Sequence, residues 1–335
     1  MPERVTIAGR PKEWQSGCRL AVLVPCFNEE ATIAKVVADF LAVLPEATIY
    51  VYDNNSTDRT IDMARDAGAV VRRETRQGKG NVVRRMFADV EADIYVLVDG
   101  DATYDAASAR VMIARLIEEQ LDAVVAARVA KQAQAYRRGH QIGNRLLTSF
   151  FAATFNATFT DILSGYRVFS RRFVKSFPVL SSGFEIETEL SVYSLDLAVG
   201  EVSTPYYARP ENSASKLNTW RDGLRILATI IELYRSERPL SFFSIIGVVL
   251  AVVSVVLAIP IFITYFEEGT VPRVPTAILS TGLMLLAFLS LVAGLVLDTV
   301  TRGRREMKRL AYLQQRNPEH ETAAAEGRCQ RKGQR

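Results

Sequence analysis

The chain has 335 residues, of which 49% are hydrophobic and 23% are charged, and its formal net charge at pH 7 is +4. This length accommodates one large domain or two ordinary ones, and the composition is that of a globular core with a more apolar part added. Two histidines, and three cysteines without the spacing of metal ligands, argue against a histidine-based zinc site and a serine–histidine triad, and the cysteines suit a reducing compartment.

Apolar runs of strand length alternate with helical patterns over the first 130 residues. The strands are predicted at 20–24, 48–52, 69–71, 94–98 and 123–127, and the helices at 30–44, 57–67, 80–90 and 105–120. Such alternation implies right-handed crossover connections. It predicts an α/β fold with a mostly parallel sheet that is covered on both faces.

Two carboxylates, Asp99 and Asp101, follow the apolar strand 94–98 and are separated only by Gly100. The carboxyl edge of an open α/β sheet is where such folds bind ligands, and neighbouring acids can share a divalent cation. The sequence therefore predicts a site for a metal-bound diphosphate, and a polar turn is the alternative. Polar side chains also follow the first and second strands, namely Asn28, Glu29 and Asp53.

Two long intervals near the C-terminus contain no charged residue, one between Arg238 and Glu267 and the other between Arg273 and Asp298. Each interval exceeds the roughly 20 apolar residues with which a helix spans a bilayer. We therefore expect two transmembrane helices, and two buried core helices are the alternative. The expected spans are 239–266 and 274–298.

The connection between these two helices is short, so both flanks of the hairpin are expected on the same side of the membrane. Arg235 and Arg238 precede the first span and five Arg or Lys between 302 and 309 follow the second, against one arginine in the connection. The positive-inside rule then places the preceding domain and a basic, partly disordered tail, 299–335, in the cytoplasm at the cell (inner) membrane. The N-terminal extension, 1–18, lacks the apolar segment of a signal peptide.

A helix with one apolar face is predicted immediately before the first span, at 219–238. Its apolar face consists of Trp220, Leu224, Leu227, Ile231 and Tyr234. This helix is expected either to lie in the membrane interface or to pack on the preceding domain.

Five motifs occur in order on this pattern of strands and helices. They are Val24-Pro-Cys-Phe-Asn-Glu-Glu30, Val51-Tyr-Asp-Asn-Asn-Ser-Thr-Asp58, Asp99-Gly-Asp101, Ser164-Gly-Tyr-Arg167 and Ser215-Lys-Leu217. Over 20–217 the chain resembles family 2 glycosyltransferases, most closely the polyprenyl-phosphate branch of dolichol-phosphate-mannose-synthase-like enzymes. The resemblance implies a GT-A type catalytic domain over 19–218, a UDP- or GDP-sugar donor, Mg²⁺ or Mn²⁺, and inverting transfer of one sugar to a polyprenyl phosphate.

The resemblance also implies roles for individual residues. Asp101 matches the metal ligand, Asp99 matches its partner near the ribose and the metal, and Arg128 lies where the family holds phosphates. The residues expected on the nucleotide are Pro25, Asn28, Glu29, Asp53, Lys79, Asp99 and Gly100, and those expected on the acceptor phosphate are Arg145, Arg209, Ser215 and Lys216.

The chemistry of several of these residues leaves other roles open. Asp53 could instead close an Asx turn, and Asn28 could cap a helix. Arg128 and Arg209 could form surface ion pairs. The helix that starts near Gly80 is expected to offer free N–H groups, together with the amine of Lys79, to the donor.

A general base is not required if the acceptor is a lipid phosphate, because a phosphate monoester is already anionic at neutral pH. Glu185 and Glu187 are the candidates for a base if the acceptor is a hydroxyl group. A processive or other membrane glycosyltransferase that acts on a hydroxyl is therefore one alternative function. A non-catalytic membrane scaffold is another.

Two positions depart from the pattern of the family, and they place the metal ligands beyond Asp101 in doubt. Asn54 stands where relatives often carry a second acid, and Ala102-Thr103-Tyr104 follows the metal acids where some relatives carry a leucine–glutamine pair. The excess of basic residues lies next to the predicted spans, so no nucleic-acid partner is expected. A homo-oligomer is compatible with a two-span anchor.

Overall fold

The computed structural model describes residues 18–130, 148–152, 154–155, 160–183, 185–210 and 219–315. The chain divides into two compact units. The first unit contains the residues up to Leu227 and those from Ala311 onward, and the second is Ala228–Leu310.

The first unit is built around a sheet to which the described residues contribute seven strands. They are β1 (Leu20–Cys26), β2 (Thr48–Asp53), β3 (Val70–Arg73), β4 (Ile94–Leu97), β5 (Ala123–Ala130), β6 (Arg167–Ser170) and β7 (Val199–Tyr206). Their order across the sheet is β3-β2-β1-β4-β6-β5-β7. Strand β6 runs antiparallel to both of its neighbours, and the other neighbouring strands are parallel. The prediction of a mostly parallel α/β sheet is confirmed.

Helices cover both faces of this sheet. They are α1 (Ile33–Val43), α2 (Thr60–Asp66), α3 (Lys79–Asp89), α4 (Ser108–Glu118), α5 (Arg171–Ser176) and α6 (Ile186–Tyr193). Strand β1 shows how the core is divided, because Val22 and Val24 face one apolar cluster while Ala21 and Leu23 face the other. Helix α1 buries Ile33, Val36, Val37 and Phe40, a spacing of three or four residues that forms one helical face.

The C-terminal part of the described residues contains three long helices, α7 (Thr219–Glu237), α8 (Pro239–Glu268) and α9 (Val274–Gln314). Helices α8 and α9 are longer than the two predicted spans, and α9 continues through the basic residues after Asp298. Helices α8 and α9 are long and apolar enough to cross a membrane, with mean hydropathy of 3.0 and 2.3 in their most apolar windows. Helix α8 ends at Gly269, whose φ of 67° is a left-handed conformation that glycine adopts without strain.

Small residues bring α8 and α9 together within the second unit. Ser254 Oγ donates to the carbonyl of Ser280 at 2.7 Å, and Ser280 Oγ donates to the carbonyl of Ser254 at 3.0 Å. The buried small residues are spaced seven apart, with Gly247 and Ser254 on α8 and Ser280, Ala287, Gly294 and Thr301 on α9. The two helices therefore form a hairpin whose register is fixed by a reciprocal pair of serine hydrogen bonds.

Basic residues beyond the apolar part of α9 are engaged by the end of α7. Arg304 Nη2 donates to the carbonyl of Ser236 at 2.8 Å, and Lys308 Nζ lies 2.8 Å from Glu237 Oε1. Arg305 donates to the carbonyl of Glu237. Cations at the C-terminus of a helix interact favourably with its dipole, so these contacts stabilise the end of α7.

Candidate functional site

The register of the sheet brings the ends of three strands to one edge. Cys26 at the end of β1 lies opposite Asp53 at the end of β2, and Leu23 lies opposite Leu97 at the end of β4. The loops that follow these strands therefore lie side by side, and they carry the carboxylates predicted from the sequence. Pro25 is placed at the same edge, half-buried in β1.

Hydrogen bonds join these loops to one another. The N–H of Asn28 donates to Ser56 Oγ at 2.8 Å, and Asn28 Oδ1 accepts from the N–H of Thr57 at 2.7 Å. Thr32 Oγ1 donates to the carbonyl of Gly100 at 2.7 Å. Asn28 does not cap a helix, because α1 begins after Thr32, and its φ of 52° instead marks a sharp turn.

The end of β2 is held by two neighbouring side chains with different roles. Both oxygens of the buried Asp53 carboxylate lie 3.2 Å from the backbone nitrogen of Ser56, three residues on, and Oδ2 lies 3.5 Å from Arg73 Nε. Asn54 Nδ2 donates to the carbonyls of Glu74 and Arg76, at 2.9 and 2.8 Å. An acid at position 54 has no donor for these two carbonyls, which gives a physical reason for the asparagine.

Asp99 is paired with a buried lysine. Lys79 Nζ lies 2.5 Å from Asp99 Oδ1 and 2.5 Å from Glu187 Oε1, and only 9% of the lysine side chain is exposed. Burial opposes the charged form of Lys79, but the charges of Asp99 and Glu187 outweigh this effect and raise its pKa. Burial also raises the pKa of Glu187, against the opposing effect of Lys79. Lys79 thus neutralises part of the charge that the buried Glu187 and the partly exposed Asp99 would otherwise share.

The other oxygen of Asp99 packs against Gly165. A Cβ atom built on Gly165 would lie 2.3 Å from Asp99 Oδ2, which is closer than two such atoms can approach. The N–H of Gly165 donates to the hydroxyl of Tyr104 at 2.9 Å. A side chain at position 165 would therefore displace the Asp99 carboxylate from its present place.

Asp101 is paired with an arginine from the segment after β7. Asp101 Oδ1 accepts from Thr103 Oγ1 at 2.6 Å, and Asp101 Oδ2 lies 2.5 Å from Arg209 Nη2. The same guanidinium reaches toward Glu29, with 3.9 Å between Arg209 Nη1 and Glu29 Oε1. Burial, together with the charge of Asp99, raises the pKa of the Asp101 carboxyl, although Arg209 opposes the shift.

Arg128, expected at a phosphate, forms a two-point ion pair with Asp161. The distances are 2.6 Å between Arg128 Nε and Asp161 Oδ2, and 2.8 Å between Arg128 Nη2 and Asp161 Oδ1. The guanidinium also lies over the ring of Tyr206, 5.5 Å from its centroid. Two parallel hydrogen bonds fix the guanidinium plane, so Asp161 orients Arg128.

Arg167, the last residue of the Ser164-Gly-Tyr-Arg167 motif, has no role predicted from the sequence. It connects the ion pair of Asp161 with that of Glu187. Arg167 is fully buried, and its guanidinium donates to the carbonyls of Ser164, Ile162 and Glu187 and to Ser191 Oγ. Burial lowers its pKa to about 10. Arg167 joins the loop that carries Asp161 and Gly165 to helix α6, which carries Glu187.

The start of α3 differs from the expectation that its N–H groups are free. The N–H of Gly80 donates to the carbonyl of Gly183 at 3.1 Å, and that of Asn81 donates to the carbonyl of Ser182 at 3.3 Å. A Cβ atom on Gly80 would lie 2.2 Å from the carbonyl oxygen of Ser181. The expectation is wrong for these two groups because the segment 181–183 packs directly on the helix end and caps it.

The donor set at this edge fits a hard divalent cation. Asp99 and Asp101 supply carboxylate oxygens, which Mg²⁺ and Mn²⁺ prefer, and Mg²⁺ sites typically use one or two carboxylates completed by water and substrate phosphates. Among the described residues no group of three His, Cys, Asp or Glu side chains could hold a metal by itself. Four carboxylates, those of Glu29, Asp99, Asp101 and Glu187, lie at this edge around the cations Lys79 and Arg209.

Several predicted residues belong to parts of the chain that the structure does not describe. Arg145, Ser215 and Lys216, expected at the acceptor phosphate, lie outside the described residues. Asp161 and Thr103 are the partners that sequence reasoning missed. The only signal for Asp161 is its position three residues before the Ser164-Gly-Tyr-Arg167 motif.

The chain is similar to known proteins in sequence and in structure. The chain matches the family model described as Glycosyl transferase family 2 over residues 21–177. It is 33% identical over 301 residues to Glycosyltransferase AglJ of Haloferax volcanii, which covers 88% of this chain and 98% of that protein. It is 27% identical over 220 residues to the Dolichyl-phosphate hexose transferase of the same organism, covering 65% of this chain and 95% of that protein.

A solved structure shares the fold of the first unit. Glucosyl-3-phosphoglycerate synthase from Mycobacterium tuberculosis, in complex with Mn²⁺, uridine-diphosphate-glucose and phosphoglyceric acid, superposes with a TM-score of 0.54 at 24% identity. The match covers 65% of this chain and 80% of that one. The GT-A type α/β fold is thereby confirmed.

Proposed function

Because the chain belongs to glycosyltransferase family 2, we propose that it transfers a single sugar from a nucleotide-sugar donor to a polyprenyl phosphate at the cytoplasmic face of a membrane. The observation that carries this proposal is the presence in one chain of a carboxylate-lined sheet edge and a hairpin of two long apolar helices. The first suits a metal-bound diphosphate, and the second suits an enzyme whose acceptor resides in the bilayer. The similarity to a Dolichyl-phosphate hexose transferase supports a lipid phosphate as the acceptor.

In this proposal the catalytic domain is 19–218, helix α7 lies in the membrane interface, and α8 and α9 span the membrane. The basic residues that follow the apolar part of α9 keep both flanks of the hairpin on the cytoplasmic side. The acceptor phosphate, at the surface of the same leaflet, then lies on the side where nucleotide sugars are available.

The donor nucleotide binds across the carboxyl ends of β1, β2 and β4. Asp53 and the loop Pro25–Glu29 hold the nucleoside, with Gly100 allowing close approach of the backbone between the two acids. Asp101 and Asp99 would hold Mg²⁺ or Mn²⁺, which when bound neutralises the diphosphate as it leaves. Acceptor-only carboxylates suit both the sugar hydroxyls and a hard cation.

Transfer is a direct displacement at the anomeric carbon. A phosphate oxygen of the acceptor forms the new bond to this carbon while its bond to the diphosphate breaks, and the nucleoside diphosphate leaves with the electron pair. The acceptor carries no proton at neutral pH that must be removed. Glu187, one of the two candidate bases, is buried and bound to Lys79, so it is poorly placed to remove a proton from a hydroxyl acceptor.

The test is transfer of radiolabel from a panel of UDP- and GDP-sugars into lipid that is extracted with organic solvent. The assay contains the purified full chain, polyprenyl phosphate, and Mg²⁺ or Mn²⁺. We expect label in the lipid from one donor, lost with a chelator and in Asp101→Asn, and kept in Asp62→Asn, which removes an exposed acid from the surface of α2.

Two results would contradict the proposal. Donor binding without labelled lipid would redirect the search to a hydroxyl acceptor. If neither a metal nor a nucleotide sugar binds, the chain is a membrane scaffold and not an enzyme.

A further inference from the structure

All four oxygens of the Asp99 and Asp101 carboxylates are already in contact with the protein. Asp99 Oδ1 is bound to Lys79 and Asp99 Oδ2 packs on Gly165, while Asp101 Oδ1 accepts from Thr103. Asp101 Oδ2 is held by Arg209 at 2.5 Å. A divalent cation that takes Asp99 Oδ1 or Asp101 Oδ2 as a ligand therefore competes with Lys79 or Arg209 for that oxygen.

Lys79 is the cation that the fold holds in place. It stands at the first position of α3, its side chain is 9% exposed, and it is bound to two acids from two different elements. The helix end beside it is capped by the carbonyls of Ser182 and Gly183. If the Lys79 side chain moved out of this position, the buried Glu187 carboxylate would lose its cation as well as Asp99. An unpaired buried charge is costly.

Arg209 is held less firmly. Its side chain is 27% exposed, and it belongs to the segment after β7, outside any helix or strand. Its ion pairs within the described residues join it to Asp101 at 2.5 Å and, more distantly, to Glu29 at 3.9 Å. A long side chain at the end of a flexible stem can leave such a contact without moving the sheet edge.

We propose that Arg209 is an exchangeable counter-ion of Asp101, which a divalent cation displaces from Oδ2. This inference rests on the proposed function, because it assigns the cation of that reaction to Asp101. The exchange replaces one positive charge with two beside the carboxylates of Glu29, Asp99, Asp101 and Glu187. Metal loading thus adds positive charge to this edge and at the same time releases a guanidinium.

The released guanidinium has a chemical use at the same place. A guanidinium fork binds phosphate oxygens through two parallel hydrogen bonds, and it cannot do so while it is bound to Asp101. Arg209 therefore becomes available for a phosphate only after the metal has bound. The metal and the donor diphosphate bind first, and the phosphate of the acceptor follows.

The test measures Mn²⁺ binding to the purified full chain without nucleotide, by electron paramagnetic resonance of the free ion. Arg209→Met removes the competing charge, so we expect the dissociation constant for Mn²⁺ to fall by about tenfold or more, the factor that one charged hydrogen bond contributes. Arg209→Gln, which keeps a hydrogen-bond donor without the charge, should show a change in the same direction.

Arg171→Met is the matched control, because it removes a guanidinium of similar exposure, 26%, from the ion pair with Glu91 in the same domain. If the effect came from net charge alone, this variant would tighten Mn²⁺ binding as much as Arg209→Met. We expect a change of less than about threefold, since Arg171 follows Ser170, which pairs with Ile94 at the end of β4 opposite to the site. Thermal unfolding of each variant shows whether it is folded.

Mn²⁺ binding that is unchanged or weaker in Arg209→Met and Arg209→Gln overturns the inference. So does Mn²⁺ binding that is unaffected by Asp101→Asn. Neither measurement depends on sugar transfer, so a failure of the proposed lipid acceptor would leave the metal exchange standing. Conversely, labelled lipid together with unchanged Mn²⁺ affinity in both Arg209 variants would remove the inference and keep the function.

Discussion

Asn54 Oδ1 accepts a hydrogen bond of 2.7 Å from the N–H of Gly78, so that a side chain at the end of β2 fixes the residue that precedes α3. The same amide donates to the carbonyls of Glu74 and Arg76. Because Lys79 follows directly, Asn54 determines where the buried ammonium stands relative to Asp99.

We expect Asn54→Asp to lower the free energy of unfolding by about 1–3 kcal/mol, because two carbonyls lose their donor and face a carboxylate instead. Asn55→Asp is the matched control. Its Nδ2 donates to the carbonyl of Thr75 at an exposed site, where water can replace the lost bond. Chemical denaturation measures the free energy of unfolding of both variants. Equal losses of free energy would show that the buried hydrogen bonds of Asn54 do not contribute more than the exposed one of Asn55.

Lys79→Met is expected to destabilise the fold by about 3–5 kcal/mol, because it leaves the buried carboxylate of Glu187 and the partly exposed carboxylate of Asp99 without this cation. The double variant Lys79→Met with Glu187→Gln removes one of these charges and should recover part of the loss. A thermodynamic cycle over the single and double variants gives the coupling. Lys35→Met, which breaks an exposed ion pair with Asp39, should cost less than about 1 kcal/mol. Additive effects of the Lys79 and Glu187 substitutions would contradict the described contact.

Gly165→Ala should reduce kcat/KM for sugar transfer by about tenfold or more. The added methyl would lie 2.3 Å from Asp99 Oδ2 and must push the carboxylate away from its position. Gly303→Ala in α9 is the control, since a Cβ atom there meets nothing within 4 Å and alanine favours the helix. Steady-state kinetics with the identified donor compares the two, and full activity of Gly165→Ala would show that the position of Asp99 is not critical.

Ser254→Leu is expected to destabilise the hairpin by about 1–3 kcal/mol, because a large side chain cannot fit where α8 and α9 approach closely. Ser254→Ala keeps the small volume and loses only hydrogen bonds, so its cost should be about 1 kcal/mol or less. Thermal unfolding in detergent, monitored by the helical signal, ranks the two variants. The reverse order would mean that hydrogen bonding, and not volume, holds the helices together.

The sheet edge could be predicted from the sequence because two simple signals agree there. Strands β1, β2 and β4 are apolar runs, and each is followed by Asp, Asn or Glu side chains. Parallel strands bring such ends together without any knowledge of the tertiary contacts. The two apolar helices are equally evident, since hydropathy depends on composition alone.

Strand β6 was not predicted, and Arg167 is the reason. An arginine in a short apolar run indicates an exposed position, yet this one is fully buried. Its charge is accommodated by backbone carbonyls of Ser164, Ile162 and Glu187, which only the folded chain brings together. The antiparallel direction of β6 likewise depends on the connection before it and not on its own residues.

The partners of the acids could not be predicted for a related reason. Lys79 and Arg209 were recognised as cations near the ligands, but Arg209 is 108 residues away in sequence from the carboxylate that it meets. A sequence pattern identifies residues that suit phosphate oxygens, whereas the carboxylate that each one pairs with depends on the path of the loops.

The capped start of α3 has a consequence for how tightly the donor can be held. In many nucleotide sites a helix terminus binds phosphate with permanent backbone dipoles, and affinity then persists when metal is withdrawn. Here the N–H groups of Gly80 and Asn81 are bound to carbonyls of the chain itself. If the proposed donor site is correct, these two N–H groups do not hold the diphosphate, and we expect donor affinity to fall when the divalent cation is withdrawn.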